Sequence, residues 1–417
     1  MGIDKLKEIR KEIKDEFENH MIPFWLGLKD EEHGGYYGLV NFDLSLDKKA
    51  DKGCIVNSRI LWFFSRAYTK FGDEKYLHAA EHAFHYLMEA FLDDDEGGVY
   101  WSVNFDGHPA DTTKHTYCQA FAIYALAAYY EATKDKDALE CAYDLYHIIE
   151  DRCRDNDGYL EAFTREFEVA SNEKLSENGV MATRTMNTLL HVMEAYTELY
   201  RVDGDKLVKR NIIETLKIFR EKMFDAERGR LLVFFDKDYN SLIDLYSYGH
   251  DIESAWLIDR TVDIISGSAN GSSNEKSEYD MSDITSVLTE SIYKEAFKED
   301  GMPAEAENGV VLETRIWWVQ CEAILGFMNA YTRIKNASES DKGYSDYKKF
   351  EEDYKNAAIS IWEYTKKSIV DKRPGSEWYS EVRKDGTPIE TKPMEDIWKC
   401  PYHNGRMFLE MMDYIEE

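Results

Sequence analysis

Apolar and polar positions along this chain fall into two alternating kinds of helical stretch. The first kind is apolar nearly all round. Ile60-Leu61-Trp62-Phe63-Phe64 and Ala120-Phe121-Ala122-Ile123-Tyr124-Ala125-Leu126 present no polar face, so protein must cover them on every side. The second kind is striped. After Asp205, the residues Val208, Ile212, Leu216 and Phe219 share one side and Lys209, Arg210, Glu214 and Lys217 the other, which marks a helix with one face in water. The two kinds meet at recurring junctions: Ala67-Tyr68-Thr69, Ala128-Tyr129-Tyr130, Ala195-Tyr196-Thr197 and Ala330-Tyr331-Thr332. The first three are followed by a Gly/Asp/Lys turn and the next helix.

A second repeat precedes the apolar helices. Glycine followed by a short aromatic or β-branched run occurs at Gly34-Gly35-Tyr36, Gly97-Gly98-Val99, Gly158-Tyr159, Gly229-Arg230-Leu231, Gly309-Val310-Val311 and Gly375-Ser376-Glu377-Trp378. Several of these runs continue into turn signals such as Asn104-Phe105-Asp106-Gly107, as short hairpins do. Six units of hairpin, inner helix and outer helix account for nearly the whole chain. The fold class expected is all-α, an (α/α)6 barrel with short β-hairpins in the connecting loops, forming one domain over 1–417. Closure is favoured over an open solenoid because the chain ends on a buried-type helix (402–415) and begins on an amphipathic one, and each needs the other. Two polar stretches, 266–277 (SGSANGSSNEKS) and 336–343, interrupt the rhythm and read as mobile surface loops.

Composition narrows the function. With 43% apolar and 14% aromatic residues a large core is assured, and a net charge of −30 repels nucleic acid and disfavours a sugar phosphate. The six cysteines form no CxxC pair and read as buried thiols of a reducing compartment. No stretch reads as a signal peptide or membrane span. The expectation is a cytoplasmic monomer acting on a small molecule, with no nucleic-acid or membrane partner. In that compartment the Asn336-Ala337-Ser338 sequon stays unused.

Three histidines stand near the starts of different inner helices: His191, His250 opening Tyr248-Gly249-His250-Asp251-Ile252-Glu253, and His403 in Trp398-Lys399-Cys400-Pro401-Tyr402-His403-Asn404-Gly405-Arg406. Comparable heights on radially arranged helices converge on one cavity. Glu253 lies i, i+3 from His250, so its carboxylate is expected to orient that imidazole. Arg59, Tyr117, Trp317 and Trp318 share the level, offering indole faces for sugar C–H groups and polar tips for hydroxyls. His78, His82 and His85 have metal-like spacing but lie on a striped outer helix, and neither GxGxxG nor GKS/GKT occurs. No metal and no cofactor are expected.

The segments MNTLLHVMEAYTELYR, SYGHDIESAWL, WWVQCEAILGFMNAYT and WKCPYHNGRM resemble the cellobiose 2-epimerases of the N-acylglucosamine 2-epimerase superfamily, from Pro23 to Met407. That resemblance implies an (α/α)6 barrel and C2 epimerisation of the reducing-end glucose of β-1,4-linked disaccharides. It also implies acid–base roles for His191, His250 and His403 with Glu253 as partner, and substrate contacts by Arg59, Tyr117, Asn187, Trp318 and Trp398. One departure stands out: the family's common Thr-His-Leu-His is Thr188-Leu189-Leu190-His191 here. C2 inversion requires ring opening, proton removal beside the carbonyl, and return of a proton to the enediolate. Two imidazoles of near-neutral pKa, assigned to His250 and His403, suit that task. Helix N-termini and Arg59 would stabilise the negative oxygen, and His191 would handle ring opening or hold O1. An aldose–ketose isomerase, an (α/α)6 glycoside hydrolase with paired carboxylates and a non-catalytic sugar-binding protein are the alternatives.

Overall fold

A computed structural model describes residues 2–176, 178–267, 279–337 and 347–415. Among these residues the chain forms twelve helices joined by loops carrying short antiparallel strands. The first, α1, runs through Gly2–Glu16, Phe17–Met21 and Ile22–Gly27 without a break. Then follow α2 (Cys54–Phe71), α3 (Glu74–Tyr86), α4 (Thr116–Thr133), α5 (Lys136–Ile148), α6 (Met186–Asp203), α7 (Lys206–Ile218), α8 (Tyr248–Ser266), α9 (Ser282–Glu295), α10 (Trp317–Asn336), α11 (Glu351–Tyr364) and α12 (His403–Tyr414).

The helices sort into the two kinds that the apolar pattern predicts. In α4 every residue from Thr116 to Tyr129 is buried, whereas α7 buries one stripe, Val208, Asn211, Ile212, Thr215 and Leu216. Each even-numbered helix packs on the next even-numbered one, α2 on α4, α4 on α6, α6 on α8, α8 on α10 and α10 on α12. The last of them, α12, also touches α2 and α1. Matched contacts along their lengths show that these inner helices run parallel. From α2 to α4, for example, Arg59 reaches Tyr117, Trp62 stacks on Tyr124 and Arg66 pairs with Glu131. The architecture is mostly helical and toroid-like.

The turn from inner to outer helix repeats with a clear cause. Gly72, Lys134 and Gly204 end their helices in the left-handed conformation, and the following Asp73, Asp135 and Asp205 accept from the backbone of the next helix's first turn. Return loops repeat as well. Their glycine runs fold back onto the end of the preceding outer helix, bridging Lys29 to Tyr36, Leu92 to Val99, Arg154 to Tyr159, Phe224 to Leu231 and Val370 to Trp378. The fourth residue of the following inner helix then accepts from that run: Asn57 from Tyr36, Gln119 from Val99 and Asp251 from Leu231.

This device corrects the repeat in the fifth unit. There Gln320 binds the amide of Met302, which follows Gly301 at φ +81°. The Gly309 run instead forms the tip of a separate hairpin, with Val310 68% exposed. The interruption at 266–277 lies outside the described residues beyond Gly267, as does 336–343 beyond Ala337. No helix among the described residues is long and apolar enough to cross a membrane.

Candidate functional site

The early turns of the inner helices bring most of the expected residues together. His250 lies 4.8 Å from the Trp318 ring, and Trp318 lies 5.3 Å from His403. Tyr402 is 4.6 Å from His403 and 6.1 Å from His191. The chain of rings continues from His191 to Tyr117 at 5.2 Å, from Tyr117 to Trp398 at 6.3 Å and from Trp398 to Trp101 at 5.6 Å. Arg59 donates to the Tyr117 hydroxyl at 2.9 Å, and its guanidinium lies over the rings of Phe121 and Tyr402. Asn187, His250, Trp318 and Trp398 are half-buried and are the more accessible members of the site. The Asn187 Oδ1 has no protein partner.

Two of the three imidazoles are backed by carboxylates. His191 Nδ1 is 2.9 Å from Glu194 Oε2, and His403 Nδ1 is 2.7 Å from Glu322 Oε1. A proton on each Nδ1 leaves Nε2 with a free lone pair, and the carboxylate raises its basicity. His250 differs. Its Nδ1 partner is the Ser247 hydroxyl at 2.7 Å. Glu253 does not orient His250, as the i, i+3 spacing predicts; it accepts from Arg406 and lies 3.9 Å from His403 Nδ1. The reason is the pull of a buried guanidinium from α12, which outcompetes a neutral ring on the same helix.

Arg406 is the hub. It donates to Glu194 at 2.5 Å, Glu253 at 2.5 Å and Glu322 at 2.7 Å, with the Tyr402 hydroxyl also in contact. The remaining Glu322 oxygen accepts from Trp256 Nε1 at 2.9 Å. Burial alone would raise Glu194, but Arg406 and His191 hold it down at about 2. Burial and the neighbouring Glu322 push Glu253 well above the usual carboxylate range. One member of the Glu253–Glu322 pair is therefore neutral. Because Glu322 is fully supplied with donors and Glu253 Oε2 has none, the proton belongs on Glu253.

The imidazoles are all held neutral. Burial lowers His191. Burial with Arg59 and Arg406 nearby lowers His403 well below its ordinary value, and burial together with His191 takes His250 to about 3. The three imidazoles are thus neutral bases, not the near-neutral pair expected of His250 and His403. Glu253, Glu322 and His403 set three donor atoms within 4.8 Å of one another, a spacing that would suit a metal ion. Arg406 already donates to both carboxyl groups and is the cation beside them.

Glu194, Glu322, Arg406 and Ser247 are absent from the site expected from sequence. Glu194 was within reach, since His191 and Glu194 share the i, i+3 spacing applied to His250 and Glu253. Glu322 pairs across helices, which no spacing within one helix reveals.

The family described as N-acylglucosamine 2-epimerase (GlcNAc 2-epimerase) matches residues 34–403. A cellobiose 2-epimerase of Eubacterium cellulosolvens is 48% identical over 408 residues, 94% of this chain and 95% of that protein. Among solved structures, a sugar epimerase from a ruminal bacterium superposes with a TM-score of 0.90 at 42% identity, covering 98% of this chain and 100% of the other. Cellobiose 2-epimerase from Bacillus thermoamylovorans B4167 gives 0.89 at 42% identity, covering 98% and 99%.

Proposed function

The chain belongs to the N-acylglucosamine 2-epimerase family, and on that footing we propose that it epimerises C2 of the reducing-end glucose of β-1,4-linked disaccharides. Cellobiose would give 4-O-β-glucosyl-mannose, and lactose epilactose. The observation that carries this reading is the placement of His250 and His403 against one indole, Trp318, with His191 joined to them through Tyr402. A sugar on that indole would lie within reach of both imidazoles.

Proton accounting follows from the charges. His250 or His403, both neutral, takes the C2 proton from the open-chain aldose and becomes imidazolium, leaving an enediolate. The proton then returns to the opposite face, either from that same imidazole after rotation about C2–C3, or from the second imidazole once the first has passed its proton on to it through solvent. Arg59, beside Tyr117, would compensate the enediolate oxygen, and Glu322 would steady the charge on His403. His191 with Glu194 would open the ring or hold O1, and Asn187 and Trp398 would contact hydroxyls and ring faces. The ring of inner-helix contacts supports a closed (α/α)6 barrel acting as a single domain over 1–417. We further propose a cytoplasmic monomer needing neither metal nor cofactor, since Arg406 supplies the charge a metal would bring.

Incubation with cellobiose in D2O tests this. Glucosyl-mannose carrying deuterium at C2 is expected. A keto-disaccharide would indicate the isomerase, free glucose a hydrolase, and no change a sugar-binding protein. Turnover should survive exhaustive chelation.

A further inference from the structure

We propose that Arg406 is a positioning residue that joins the two imidazole–carboxylate pairs into one unit, so that His191–Glu194 sets the basicity of His403 and the reverse. Its consequence for turnover rests on the epimerase reading above; its physical content does not need the sugar.

Arg406 is 1% exposed at the fourth residue of α12. Its guanidinium lies 4.7 Å from the Trp256 ring and 4.3 Å from the Tyr402 ring, packing that limits its freedom to turn away from its partners. From α6, Glu194 offers one oxygen to Arg406 and the other to His191. From α10, Glu322 Oε1 is shared between Arg406 and His403, each at 2.7 Å. The route from one imidazole to the other is therefore His191, Glu194, Arg406, Glu322, His403, unbroken and buried. Glu253 of α8 is the third acceptor on the same guanidinium. Beyond Tyr402 stand Arg59 of α2, 4.5 Å above its ring, and Tyr124 of α4, 6.0 Å away.

One cation thus serves two carboxylates, Glu194 and Glu322, and the neutral carboxyl of Glu253. When His403 takes a proton, Glu322 gains a second cation and needs Arg406 less, which frees the guanidinium to hold Glu194 more firmly. Glu194 then supports His191 less, and His191 becomes the weaker base. The arrangement favours one imidazolium at a time, which is what a single travelling proton requires.

The test combines imidazole 15N spectra of selectively labelled protein with turnover of cellobiose. Glu194→Gln should move the His403 nitrogen resonances although Glu194 does not bond to His403. Turnover should fall by ~10-fold or more in Glu194→Gln and in Glu322→Gln, and the double variant should be no worse than the poorer single. In the Arg406→Lys background the spectral effect should vanish and the two losses should multiply. If that variant does not fold, Tyr402→Phe decides instead, because among the described residues the hydroxyl is the other hydrogen-bonded link between Glu194 and the start of α12. Coupling that survives Tyr402→Phe supports Arg406, and coupling that disappears overturns it. Unmoved His403 resonances, or multiplicative losses with Arg406 in place, also overturn it. Moved resonances in a protein inert towards cellobiose would refute the epimerase reading and leave the coupling intact.

Discussion

The inner helices carry two charged clusters, a buried one in their early turns and a half-buried one around the buried Glu198 in their late turns, and the two are built to opposite rules. In the early turns Glu194, Glu253 and Glu322 share one arginine. In the late turns two carboxylates meet three arginines. Glu131 pairs with Arg66 at 2.7 Å and with Arg201 at 2.6 Å, and Glu198 pairs with Arg201 at 2.9 Å and with Arg260. Glu194 and Glu198 sit one turn apart on α6, equally buried. Burial works against both, and arginines hold both down, Arg406 for Glu194 and Arg201 with Arg260 for Glu198; the contrast is Glu253, which burial and Glu322 push up. Charge in excess of its partner leaves protons mobile, and charge fully matched locks helices together. The early turns are thus chemically poised, and the late turns staple the ring.

The comparison breaks if the staple carries turnover. Glu198→Ala removes the buried carboxylate shared by Arg201 and Arg260 and should cost up to about 3 kcal/mol of unfolding free energy. That upper bound is the scale for breaking a fully buried ion pair, and both arginines keep partial access to water. Chemical denaturation measures it, and turnover below the new melting range should stay near the parent's. The reverse holds at the other end. His250→Asn and His403→Asn should each lower turnover by ~10²-fold, equivalent to about 2.7 kcal/mol, with little change in melting. Full activity in either variant would move the chemistry away from Trp318.

Much of this was legible beforehand, for reasons that separate local from non-local signals. The two helix types and their Gly-Asp turns are written in a few adjacent residues each, so the repeat could be read without a structure. The fifth unit misled because Gly309-Val310-Val311 has the composition of the repeat, whereas the residue that defines it, Gln320 binding Met302, acts across a loop. The three histidines, Arg59, Tyr117, Trp318 and Trp398 can be singled out because each lies in the early turns of an inner helix or in the stretch leading into one. Their carboxylate partners were mostly not found. Glu253 turned to Arg406, Glu322 reached His403 from another helix, and only Glu194 obeyed a spacing visible in sequence.

A pH experiment sharpens the contrast further. His250 binds its proton less readily in the folded chain, at about 3, than in the unfolded chain at about 6.5. Its contribution to stability is therefore complete above pH 6.5 and is lost as pH falls towards about 3. Between pH 6.5 and 5 the loss amounts to about 2 kcal/mol at most, from 1.36 kcal/mol per unit. Melting of the parent should consequently fall more steeply over that range than melting of His250→Asn. Equal slopes would mean that water reaches this imidazole freely and that the early turns are not desolvated.

The smallest effect is expected where the staple reaches the surface. Lys70 pairs with Asp413 at 2.6 Å, joining the last turn of α2 to the end of α12. By position this bond belongs with Glu131 and Glu198, but Asp413 is 68% exposed. Water already solvates its charge, so the pair gains little from the low dielectric that strengthens the inner contacts, and salt screens what remains. Asp413→Asn should cost between about 0 and 1 kcal/mol, a difference that shrinks further in 1 M salt, and should leave turnover unchanged. If it instead cost as much as Glu198→Ala, burial would not be what distinguishes the staple, and closure between the first and last inner helices would depend on this one bond.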